Sequence, residues 1–111
     1  AAEASSDKTW ELAALMEKGE SLYNTNCAAC HKPDGSGLPP AFPALKGSPI
    51  AKGDINKHLE IIIKGVSGSA MAAWGSQLND LEIAAITTYE RNAWGNNTGD
   101  TVQPADVKAA R

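Results

Sequence analysis

The sequence predicts an all-α fold built on three principal helices, and three observations carry that prediction. Apolar residues recur at three-four spacing over three stretches: Thr9 to Tyr23, Asp54 to Lys64, and Asn79 to about Trp94. A capping residue opens each stretch, and glycine closes the last two. Large aliphatic residues and Phe occupy only 19 of 111 positions, below the level of roughly 20% at which chains begin to look disordered. Net charge is only −3, so the helical pattern stands. The thin core calls for a large rigid apolar group to complete it.

At 111 residues without an internal repeat the chain reads as one domain. Residues 1–8 are small and polar and read as a linker or disordered lead-in, leaving 9–111 as the domain. The start at Ala1, with neither initiator methionine nor signal peptide, is expected of a processed protein or an excised piece of a longer one.

Thr9 is the expected N-cap of the first helix, whose stripe is Leu12, Leu15, Met16, Gly19, Leu22 and Tyr23. Glycine inside a helix costs about 1 kcal/mol relative to alanine, so Gly19 predicts a close approach by another element. The next segment is Cys27-Ala28-Ala29-Cys30-His31. Two cysteines three positions apart lie on one side of a helical turn, so both sulfurs can add to the vinyl groups on one edge of a porphyrin, and the following imidazole faces the iron. This is a c-type haem attachment signal, and it predicts one covalent haem c held through Cys27 and Cys30.

Three blander explanations compete for these residues. A redox dithiol expects a βαβ setting, and none is found. A structural zinc site wants four N or S ligands, but the chain adds only His58. A disulfide would close a very small loop and leave His31 unexplained.

The loop that follows, KPDGSGLPPAFPALKGSP, is too apolar for a free surface loop. Leu38, Phe42 and Leu45 are expected to pack against the haem edge. Asp54 caps the second helix and Gly65 stops it, with Ile55, Leu59, Ile62 and Ile63 on one face and His58 beside it. His58 is a candidate iron ligand, although a packed histidine is the simpler account. The small-residue stretch VSGSAMAAWGSQ holds one methionine, Met71, a soft ligand that suits haem iron. Met71 is the predicted sixth ligand and His31 the fifth, with Met16, His58 or an open site as alternatives. Trp74 is placed either to donate its indole N–H to a haem propionate or to pack in the core. Asn79 and Glu82 predict a capping box on the last helix, and Leu78 with Ile83 a hydrophobic staple. Its expected buried face is Ile86, Tyr89 and Ala93, flanked by Ile83 and Trp94. Pro104 then opens a short terminal helix.

The CAACH segment resembles the class I cytochromes c. That resemblance implies His31 as the proximal ligand, a crossing of the terminal helices at Gly19 and Tyr23, and a distal methionine after the haem motif, which favours Met71 over Met16. The run FPxLxG is similar to cytochromes in which the proline carbonyl accepts from the proximal ring, which implies that role for Pro43. A proline that only stiffens the loop is the alternative. The C-terminal half, with YERNAWGNNTGD followed by QPADVKAAR, resembles the cytochrome c domain fused to subunit II of bacterial cytochrome c oxidases. The likeness runs from about Trp10 to Arg111. It implies a location on the periplasmic side of a bacterial membrane and a copper centre in the rest of the same subunit as electron acceptor.

Charge adds exclusions. The chain is mildly acidic without a basic run, so nucleic acid is not an expected partner. Its longest clear apolar cluster, Ile61 to Ile63, is far below the roughly 18 residues that cross a bilayer. Lys32, Lys46, Lys52, Lys57 and Lys64 make residues 31–64 locally positive, which describes either a solvated surface or a docking patch for redox partners. No catalytic constellation is visible. The expected function is single-electron transfer within an oxidase, with a free periplasmic carrier as the alternative and a peroxidase-like enzyme as a third reading that needs an open iron site.

Overall fold

A computed structural model describes residues 9–38, 44–68 and 71–111. The lead-in 1–8, Phe42 and Pro43 lie outside the described residues. Every element described is helical, as the apolar spacing predicts. In order these are α1 Leu12–Asn26, α2 Ala28–His31, α3 Pro49–Lys52, α4 Ile55–Lys64, α5 Asp80–Asn92 and α6 Pro104–Ala110, with single 3-10 turns at Trp74–Ser76 and Ala93–Gly95.

The caps follow the sequence at three of four helix starts. Asp54 accepts from the Asn56 N–H at the head of α4. Asn79 and Glu82 close a reciprocal capping box on α5. Pro104 is the first residue of α6. The fourth start differs. Glu11, not Thr9, precedes α1, and it makes no side-chain cap. Trp10 is instead engaged by the far end of the chain: its N–H donates to Gln103 Oε1 at 2.8 Å and its carbonyl accepts from Gln103 Nε2 at 3.0 Å. Those bonds hold the backbone extended where Thr9 would have begun the helix.

The crossing of α1 and α5 organises the rest. A Cβ on Gly19 would press into the Ala85 carbonyl oxygen and lie 2.7 Å from Tyr89 Cβ, so only glycine lets the two backbones meet there. Leu15, Gly19 and Tyr23 are the buried residues of α1. Leu12 belongs to the expected stripe but is 37% exposed, because the crossing lies further along the helix. Gly19→Val should lower stability by about 3 kcal/mol through overpacking against backbone, and Tm by roughly 10–20 °C. Thermal unfolding of the haem-loaded protein checks this, and a shift near zero would place the crossing elsewhere.

Helix α5 is enclosed on nearly all sides: Leu81 and every residue from Ile83 to Arg91 are buried. It ends at Asn92, two residues before the expected Trp94, which turns into the left-handed region at φ 57°. Its apolar residues enter three packed groups. Ile83, Ala84 and Ile86 meet Leu59, Ile62 and Ile63 of α4 with Val102 and Val107. Leu81 and Ala85 meet Leu15. Tyr89 meets Tyr23 and Ala28.

Candidate functional site

The attachment segment grows directly out of α1. Cys27 is the last cap of that helix, its N–H donating to the Tyr23 carbonyl at 2.8 Å. Its own carbonyl then accepts from the N–H groups of Cys30 at 3.3 Å and His31 at 3.0 Å, closing the turn α2. Lys32 stops it in the left-handed region at φ 70°. Both cysteines are free thiols and half-buried, and His31 is half-buried beside them. Burial, then the Glu90 charge, pushes the Cys27 thiol up to about 12.

Around this turn the aromatic groups act as fasteners. The Tyr23 hydroxyl donates to the Lys32 carbonyl at 2.7 Å. The rings of Tyr23, Tyr89 and Trp94 lie 5.1 to 5.5 Å apart, with Tyr89 and Trp94 edge to face. Trp94 Nε1–H donates to the Pro33 carbonyl at 3.0 Å. A Cβ on Gly35, itself at φ 73°, would lie 2.6 Å from the Trp94 ring, so glycine is needed for the indole to lie flat on that loop.

Met71 follows the end of α4. Gly65, at φ 71°, ends α4 and lets the chain fold back so that the Val66 N–H donates to the Met71 carbonyl at 3.2 Å. A Cβ there would lie 2.7 Å from that same carbonyl. Met71, Trp74 and Cys27 all pack against the core group formed by α4, α5 and α6. The fold therefore brings the attachment turn and the methionine to one body of packed side chains. Trp74 is half-buried on that group, and Leu45 is half-buried on the Tyr23–Tyr89 group. Leu38 does not pack on the protein; it stands 56% exposed. Met16 borders the tyrosine group on α1. His58 lies on the buried face of α4 rather than beside it, with Nε2 2.7 Å from Glu90 Oε1.

Several side chains of the site's frame were not found by periodicity. Arg91, 4% exposed, forms a two-pronged pair with Asp100 at 2.9 and 2.8 Å and donates to the Gly53 carbonyl at 2.7 Å. Asn96 accepts from the Gly47 N–H at 2.7 Å and donates to the carbonyls of Leu45 and Glu90. Arg111 holds Asp80 and the carbonyls of Gly75 and Leu78, steadying the turn after Met71. The signal was partly there: Glu90 and Arg91 continue the buried positions of α5, where charged residues need partners.

The residues present fit a covalently attached haem. Two free thiols and an imidazole share one turn, and the Met71 side chain packs on the core group that Cys27 also borders. Among the described residues no group of three or more His, Cys, Asp or Glu side chains could hold a metal ion. A helical fold with this donor set defines a c-type cytochrome domain. The chain belongs to the cytochrome c family: the family model described as cytochrome c oxidase, cbb3-type, subunit III matches residues 14–89.

The chain is 32% identical over 103 residues to the cytochrome c subunit of the quinone alcohol dehydrogenase of Gluconobacter oxydans, covering 84% of this chain and 22% of that one. It is 35% identical over 106 residues to the gluconate 2-dehydrogenase cytochrome c subunit of Pantoea cypripedii, covering 86% and 24%. With cytochrome c-552 of Thermus thermophilus it shares 33% identity over 98 residues, covering 77% and 66%. The chain thus spans under a quarter of the two dehydrogenase subunits. It is an electron-transfer domain that carries one covalent haem c.

Proposed function

We propose that the domain relays single electrons within a larger respiratory assembly on the periplasmic side of a bacterial membrane. Cys27 and Cys30 hold the haem by thioether bonds, and His31 and Met71 are its axial ligands. When bound, the haem supplies a one-electron couple, and a Met/His ligand pair sets it at a relatively high potential. The chain's own part is to orient the imidazole, keep the thioether in place and exclude water. Residues 9–111 form this unit and 1–8 lead into it. Pro43 orients the His31 ring, Phe42 and Leu45 cover the haem edge, and Trp74 closes the side next to Met71. The observation that carries this reading is the shared core group behind Cys27 and Met71.

The finer reading is that the acceptor is a copper centre in the same polypeptide, as in subunit II of cytochrome c oxidases. Its support is the run YERNAWGNNTGD with QPADVKAAR. Tethering would keep the domain at roughly millimolar local concentration beside its acceptor, so a weak docking surface suffices. The two dehydrogenase relatives favour a second reading, a relay fed by a dehydrogenase, and a free periplasmic carrier is the third. Oxygen consumption by the parent enzyme, driven by a donor that reduces this haem, should collapse when residues 9–111 are deleted. Unchanged turnover, or a gene that places a signal peptide directly before Ala1, would leave the other readings.

A further inference from the structure

Among the described ion pairs, His58 and Glu90 are the one with both side chains closed off from solvent, at 3% and 6% exposed. The imidazole comes from α4 and the carboxylate from α5, with Nε2 and Oε1 2.7 Å apart. Nδ1 of the same ring is buried and has no hydrogen-bond partner among the described residues. Packing does not require the pair, since Leu59, Ile62 and Ile63 already meet Ile83 and Ile86 across the same helices. A buried ionisable pair is costly to keep, and two apolar side chains would often serve the fold as well.

Its location suggests what it is for. Leu59 and Tyr89, the neighbours of the pair along α4 and α5, belong to the two core groups that Cys27 borders, which sets the pair close to the attachment turn. With the imidazole neutral, Nε2–H donates to the carboxylate and the pair carries one negative charge; a proton added at Nδ1 makes it neutral. We propose that this pair is a redox-linked proton site: each electron accepted by the domain draws a proton from solvent onto His58–Glu90, and each electron passed on returns it. The inference rests on the haem attachment proposed above. The electron brings negative charge next to a desolvated group, where weak screening makes the attraction for a proton strong.

The surrounding groups leave this role to the pair. From α1 the Tyr23 hydroxyl is held well above its ordinary range, by burial and then by Glu90, and Cys27 has no proton once it is a thioether. On α5, Arg91 is turned to Asp100 and Gly53. Asp54, Lys57, Glu60 and Lys64 of α4, Lys52 of α3, and Asp106 and Lys108 of α6 are exposed.

The test is the midpoint potential of the haem-loaded protein between about pH 5 and 8. It should fall as pH rises, with the two redox states differing on the order of tenfold in proton affinity, equivalent to about 59 mV in all. Glu90→Gln should flatten the profile. Because that variant could misfold, the His58 ring is also titrated by NMR in the unaltered protein, where its midpoint should lie higher in the reduced state. An equal slope in Glu90→Gln, or a His58 ring that titrates identically in both states, overturns the proposal. A wild type that attaches no haem fails the reading above instead.

Discussion

Replacing Met71 by histidine should lower the midpoint potential by on the order of 0.2 V, within the span of roughly 0.8 V that axial ligands command. A thioether is a soft, weakly donating ligand that favours the reduced iron, and imidazole donates more strongly and favours the oxidised one. The return of the chain at Gly65 brings Met71 back beside α4, so the larger ring has backbone on one side and the core on the other. Redox titration reads the shift. The thioether-to-iron charge-transfer band at the red end of the visible spectrum should vanish with it and survive in Met16→Ala. If Met71→Ala keeps that band while Met16→Ala loses it, the assignment of the sixth ligand is wrong.

The second large effect is on folding itself. In Cys27→Ser/Cys30→Ser, expressed without covalent haem, the whole stability of a small domain, about 5–15 kcal/mol, should be lost. The structure gives the reason: the three packed groups of the core are bridged by half-buried Leu22 and Cys27, and Cys27 is itself an attachment residue. The apo chain should be largely disordered, with near-UV signal from Tyr23, Tyr89 and Trp94 gone and no cooperative thermal unfolding. A sharp thermal transition in this variant would show that the protein core suffices alone.

Much of this architecture was legible because its signals are local. Asn79 with Glu82, Asp54 and Pro104 mark helix starts by chemistry that needs nothing distant. Gly19 announced the crossing, and CAACH declared its own turn. The other features arise from enclosure. Helix α5 is surrounded, so Thr87, Thr88, Glu90 and Arg91 are buried where a one-faced pattern expects solvent. Thr88 meets this by bonding the Val102 backbone, and Arg91 by reaching Asp100. Such partners are distant in the fold or follow a turn, and spacing along one helix cannot name them. Trp10 with Gln103 is the same case across nearly the whole chain, and Arg111 with Asp80 across 31 positions.

The run from Tyr89 to Asp100 has a consequence for rate. Tyr89 meets Trp94 edge to face, Arg91 and Asn92 hold Asp100, Trp94 grips Pro33, and Asn96 ties Leu45 and Gly47 to the end of α5. Loop segments that follow the attachment turn are thereby fastened to the most enclosed of the described helices. An electron crosses between two sites only when the surrounding atoms reach a common arrangement, and dipoles already fixed in place have little distance to travel. Such a knot should keep the reorganisation energy low. Loosening it at Asn96 should slow self-exchange between oxidised and reduced molecules even where the driving force is unchanged.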